Sequence, residues 1–190
     1  MHQILCERHA MLHDQVLPKY LKNDADKLRA RPHGLNSIAW NIWHLLRIED
    51  ITLSRFVGNI PQVHTSGGWQ QRMGLAYGDM GTAMASADVD ILSQTIDLAG
   101  LAGYQAAVGA QSKQILAAFD VSRAQQKWDT AHMRAVIAGE AVCLPAITEG
   151  VISYWGGLTM GRFVVDYTQV HPNTHIGEMQ VIGNLVGAQV

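Results

Sequence analysis

Cysteine is scarce in this chain. Only Cys6 and Cys143 are present, far apart and without CxxC spacing, which excludes a disulfide framework and a cysteine-held zinc site and leaves two thiols expected to be free. Charge is also sparse, with 14 Lys and Arg against 16 Asp and Glu scattered along the chain. No basic or acidic run asks for nucleic acid or an anionic membrane surface as partner. No apolar stretch approaches membrane-spanning length, and the opening residues, with His2, Glu7, Arg8 and His9, do not make a signal peptide. A cytoplasmic location is the expectation. GxGxxG, GxxxxGK and GxSxG are missing, so the familiar nucleotide-binding loops and the serine nucleophile elbow are excluded. No Glu is followed three places later by His, which excludes a carboxylate-bridged di-iron bundle built on ExxH pairs.

What is present is helical patterning over 190 residues, a length that suits one domain, residues 1–190. Leu5, Leu12, Val16 and Tyr20 predict a first helix from about Gln3 to Leu28, kinked at Pro18. Asn36 is placed to cap a second helix through Trp40, His44, Ile48 and Ile51, ended by Gly58 and Pro61. Residues 59–96 mix Gly, Pro, Ser, Met and Trp without sustained period and read as a long irregular connection of the kind that is usually functional or poorly ordered. Asp97 caps a third helix carrying Leu101, Tyr104, Val108, Ile115 and Phe119. Residues 123–157 read either as a short β-hairpin around Ala138, Gly139 and Glu140 or as a packed loop. A last helix from about Leu158 to Val186 ends at Gly187. The expected fold is all-α, a four-helix bundle with long crossover loops.

Histidines carry the chemistry. At 100° per residue, His171, His175 and Glu178 fall on the stripe of Val164, Tyr167 and Ile182, so polar groups face the core and need partners. HxxxH sets two imidazoles one helical turn apart, within reach of one ion. His44, mid-helix between Trp43 and Leu45, is the best third ligand. Three imidazoles make an open site, and a divalent ion there lowers the pKa of water it holds towards about 7. Glu178, the candidate catalytic residue, orients a ligand imidazole or shuttles a proton, or else forms an ion pair with a neighbouring helix. His9 and His13 repeat the HxxxH spacing, but the first helix buries Leu5, Leu12 and Val16, which puts that pair on its flank or outer face. Trp40, Trp69, Tyr104, Trp155 and Tyr167 are candidates to line a pocket, Trp69 foremost because it lies in a Gly-rich loop.

The segments LNSIAWNIWHLLRIED and HPNTHIGEMQVIGNLVG resemble the two signature regions of the DinB/YfiT-like superfamily. A looser likeness runs through PQVHTSGGWQQRMGL and the Tyr104 helix, while residues 125–153 match nothing. The resemblance implies a four-helix metal protein in which His44, His171 and His175 hold one divalent ion, Zn, Ni or Fe. Pro172 between the two ligand histidines, and Gly183 where relatives often carry Arg, depart from the pattern. Relatives include thiol-dependent transferases and isomerases, metal-dependent hydrolases and members without established activity. The expected function is therefore activation of water or a low-molecular-weight thiol against a small-molecule substrate; the rival is a metal-stabilised binding or stress-response protein, its site closed by a fourth ligand such as His64. A homodimer is compatible with the 48% hydrophobic content, as is a well-packed monomer.

Overall fold

The computed structural model describes residues 2–189, and the architecture is all-helical; among the described residues the only β-type pairing is an isolated bridge between Lys127 and Thr159. Four long helices carry the core: α1 (residues 2–21), α3 (38–57), α7 (Leu98–Ala118) and α10 (160–186). Short helices α2 (Ala25–Arg29), α4 (Val63–Ser66), α5 (Trp69–Arg72), α6 (Ser86–Thr95), α8 (Thr130–Gly139) and α9 (Thr148–Gly157) lie between them. α3 is central, packing against both α7 and α10, while α1 packs against α7 and α10. Among the described residues, no helix is long and apolar enough to cross a membrane.

Local chemistry explains the helix ends. Ser37, rather than Asn36, caps α3, its hydroxyl accepting from Trp40 N at 2.9 Å. Asp97 caps α7 through Gly100 N as the sequence predicts, and Gly187 closes α10 at φ 66°, a left-handed position that favours glycine. The first helix stops earlier than its period suggests. Asn23 breaks it, donating from its amide to the Tyr20 carbonyl at 2.8 Å, and the chain resumes as α2.

Pro18, expected to kink the first helix, and Pro172 in the last each follow a widened turn. Residues Leu12–Val16 and Asp166–Val170 are π-helical, and Pro18 and Pro172 each come one residue after the i→i−5 hydrogen bond that closes the turn. The wider turn opens the ladder where proline can offer no N–H. A third π segment, Asp50–Val57, forms the end of α3. All three helices that bear the histidine clusters thus contain one.

Two segments differ from expectation. Residues 123–157 form neither a hairpin nor a plain loop but α8 and α9, whose Met133, Val136, Ile137, Ile152 and Trp155 make a second core with Phe56, Phe163 and Tyr167. Asp129 caps α8 by accepting from Ala131 N and His132 N. Within 59–96, α6 buries Val89 and Leu92, and lacks a capping side chain at Ala85 that would have marked its start. The rest of that connection is pinned to α3: the buried Arg47 guanidinium donates to the carbonyls of Gly78 and Asp79 and to Gln62 Oε1. Asp50, equally buried, accepts from Val63 N, His64 N, Ser54 Oγ and the Tyr104 hydroxyl. A segment without helical period is ordered because buried charged groups take up its backbone donors and acceptors.

Candidate metal centre

The α3–α10 interface brings His44, His171 and His175 together, each offering a ring nitrogen within 4.8 Å of the others. His44 sits one and a half turns into α3, where every residue from Ile38 to Glu49 is buried. His171 and His175 open the α-helical part of α10 directly after its π turn. His171 Nε2 lies 3.3 Å from His44 Nε2 and 3.1 Å from His175 Nε2. Two nitrogens each about 2.0–2.1 Å from one ion would be about 3.0–3.4 Å apart, so the spacing fits a shared cation.

The far edges of the rings decide the tautomers. His44 Nδ1 faces the Met80 carbonyl at 2.6 Å, and a carbonyl only accepts, so Nδ1 carries the proton. His175 Nδ1 faces Asn41 Oδ1 at 2.8 Å and Glu178 Oε2 at 2.9 Å. The Asn41 amide is oriented by its own donation to the Ser37 carbonyl at 3.0 Å, which turns its oxygen to His175. Nε2 of both rings is therefore a bare lone pair aimed inward, the state a metal ligand requires. Burial holds the His44 pKa down to about 3, with His175 adding repulsion. Burial, then His44 and His175, lowers that of His171 to about 2. These imidazoles stay neutral far into acid. His171 Nδ1 is buried without a partner.

Glu178 meets the back of the His175 ring, not its lone-pair side, and its side chain is half exposed. It is placed to orient that ring. Trp40 stacks on His44 at 4.7 Å with 10° between planes, fixing the ring from one face. Tyr167 lies 6.0 Å from His171 and helps line a cavity of about 570 Å³ onto which His44 and His171 open. Trp69 and Tyr104 do not reach it. Trp69 is buried, packed 6.0 Å from Tyr104 with Arg72 over its ring, and Tyr104 donates its hydroxyl to Asp50 at 2.9 Å. Burial, then Asp50, raises the Tyr104 pKa well above its ordinary value. The Gly-rich flank of Trp69 admits the indole, since a Cβ on Gly67 or Gly103 would strike it. His64 is not a fourth ligand either: it packs against Tyr104 at 5.8 Å, and burial, then Arg47, lowers its pKa to about 3.

A second cluster was missed by helical projection. His9 and His13 are not exposed but 0% and 3% accessible, facing Glu49 across the α1–α3 interface. His9 Nε2 lies 2.8 Å from Glu49 Oε1 and His13 Nε2 3.0 Å from Glu49 Oε2. These atoms too are close enough to hold an ion. Burial opposes ionisation of Glu49, but the two imidazoles outweigh it and hold the carboxyl well below the usual range. The signal was available: with the histidines counted as inward, residues 9, 12, 13, 16, 17 and 20 make one unbroken helical stripe.

No protein-family model matches the chain, and no curated protein matches it.

Proposed function

We propose that this chain is a DinB-like four-helix-bundle metalloprotein in which His44, His171 and His175 bind one divalent ion, Zn, Ni or Fe, and that it is a metal-dependent enzyme acting on a small molecule. One observation carries the reading: the inward Nε2 lone pairs of His44 and His175, fixed by acceptors behind each ring, meet His171 Nε2 at ligand spacing. His44–His171–His175 is also the set that the sequence resemblance implies.

When bound, the ion supplies the Lewis acidity that activates water or a small thiol near neutral pH. The chain's own part is positional. Met80, Asn41 and Glu178 hold the ring protons at Nδ1, Trp40 fixes the His44 plane, and the cavity beside His44 and His171 gives a substrate access. With His64 packed against Tyr104 and outside the three-histidine group, three protein ligands would leave a coordination position for substrate, which favours an enzyme over a purely structural site.

Elemental analysis of tag-free protein tests this. About one equivalent of metal is expected in the wild type and in His9→Ala, and loss in His44→Ala, His171→Ala and His175→Ala. Metal retained by all four variants would overturn the reading.

A further inference from the structure

The two cavities flanking α3 differ in charge. One is bordered by Arg47, Asp79 and Glu140. The other, beside His44 and His171, has no Lys, Arg, Asp or Glu among its described lining residues. Its walls are Ile48, Met80, Ile147, Val151 and Trp155, and its polar groups are the neutral hydroxyls of Thr82, Tyr154 and Tyr167. Trp155 packs edge-on against Tyr167, ring centroids 5.6 Å apart. At about 570 Å³ the space matches a small organic molecule.

We infer that this cavity selects an uncharged, largely apolar small molecule, aryl or branched alkyl, with at most one donor group directed at the histidines, and rejects ligands bearing a further carboxylate. The inference rests on reading this cavity as the substrate site. A carboxylate placed against Ile147, Val151 and Trp155 would lose its hydration without gaining a cation or a set of N–H donors, and an uncompensated charge is the costliest group to bury. If a thiol is activated here, the same limit applies to it: a thiol carrying peptide-like carboxylates finds no counter-charge in the wall.

Gly150 offers a clean block. It lies within α9 at the cavity edge, and a Cβ built there meets nothing within 4 Å. Leucine fits that backbone and favours helix over glycine, so Gly150→Leu should fold and fill the cavity. Val151→Arg would supply the missing cation.

Ligand-observed NMR titrations of benzyl alcohol and 4-(hydroxymethyl)benzoate, on protein as purified and after chelator treatment, test the inference. The neutral probe should bind at least about tenfold more tightly in both forms. Gly150→Leu should abolish that binding with metal content and helicity unchanged, and Val151→Arg should move the preference towards the carboxylate. Equal or tighter binding of the carboxylate by the wild type in either form, no binding of the neutral probe, or unchanged binding in Gly150→Leu would overturn it. Because the chelator-treated arm needs no ion, failure of the metal reading and failure of the cavity reading give different results.

Discussion

His9/His13 and His171/His175 are both HxxxH pairs on long helices, both buried against α3, both following or entering a π turn and both turning Nε2 inward, yet His13 and His175 carry the ring proton on opposite nitrogens. At α10, acceptors stand behind His175 and across from it behind His44, so protons sit at Nδ1 and lone pairs converge. At α1 the inward partner is a carboxylate, which only accepts, and behind His13 stands a donor: Gln105 Nε2 reaches His13 Nδ1 at 3.2 Å and the His13 carbonyl at 3.0 Å. The carbonyl contact fixes the Gln105 amide as donor, so His13 Nδ1 bears the lone pair and Nε2–H points to Glu49. Gly109 allows this packing, since a Cβ there would lie 2.5 Å from His13 Nδ1. What the groups behind the rings supply, not histidine spacing, separates a metal-ready cluster from a hydrogen-bonded clasp.

The largest test of this contrast is Glu49→Ala. It leaves two buried imidazole N–H groups without their acceptor and should cost about 1–3 kcal/mol for each, read by denaturant unfolding, because a stranded buried donor keeps its full desolvation penalty. Metal content should hold at about one equivalent under conditions where the variant is folded. Metal loss from the folded variant would mean that the α1 cluster is the metal site and erase the distinction.

A smaller effect is expected behind the rings. Asn41→Leu should weaken metal binding about 10–100-fold in competition with a chelating dye, whereas Glu178→Gln should change it less than about tenfold, since Asn41 still receives the His175 proton. The reverse order would give Glu178 the dominant positioning role.

The smallest signal is in pH dependence, and the two clusters occupy different windows. In metal-free protein, His44 and His171 are held at about 3 and about 2 against an ordinary 6.5, so below pH 6.5 the unfolded chain takes up protons that the fold refuses. Their contribution is complete above 6.5 and declines as pH falls through 6.5 towards 3. Glu49, also lowered, contributes above its ordinary 4.5 and loses that contribution in more acid solution. Stability measured against pH should therefore fall less steeply between 6.5 and 4.5 in the His44→Leu/His171→Leu double variant, where His64 keeps part of the slope, and less steeply below 4.5 in Glu49→Gln. Identical curves for wild type and both variants would show that neither cluster governs acid sensitivity.

Much of the helix pattern was legible because apolar periodicity and capping chemistry are local. Asp97, Gly187 and the stripes of α3, α7 and α10 needed no tertiary information. α6 and α8 were not legible: α6 is short and has no side-chain cap, and α8 matches no steady period until its packing under Trp155 and Phe163 is known. Trp69 and Tyr104 were misplaced because large aromatics fill a core as readily as a pocket. His9 and His13 were misread because a projection that scores histidine as polar moves the stripe one flank over.

The sequence by itself determined that the chain is helical, that His171 and His175 share a face one turn apart, and that His44 lies on an apolar helix, since each follows from the residue spacing of one segment. Only the tertiary structure decided which imidazoles meet, which nitrogen each presents, and which cavity they face. Those depend on Met80, Asn41, Glu49 and Gln105, residues brought to the histidines across helix interfaces, and no pattern within one helix specifies what another helix sets opposite it.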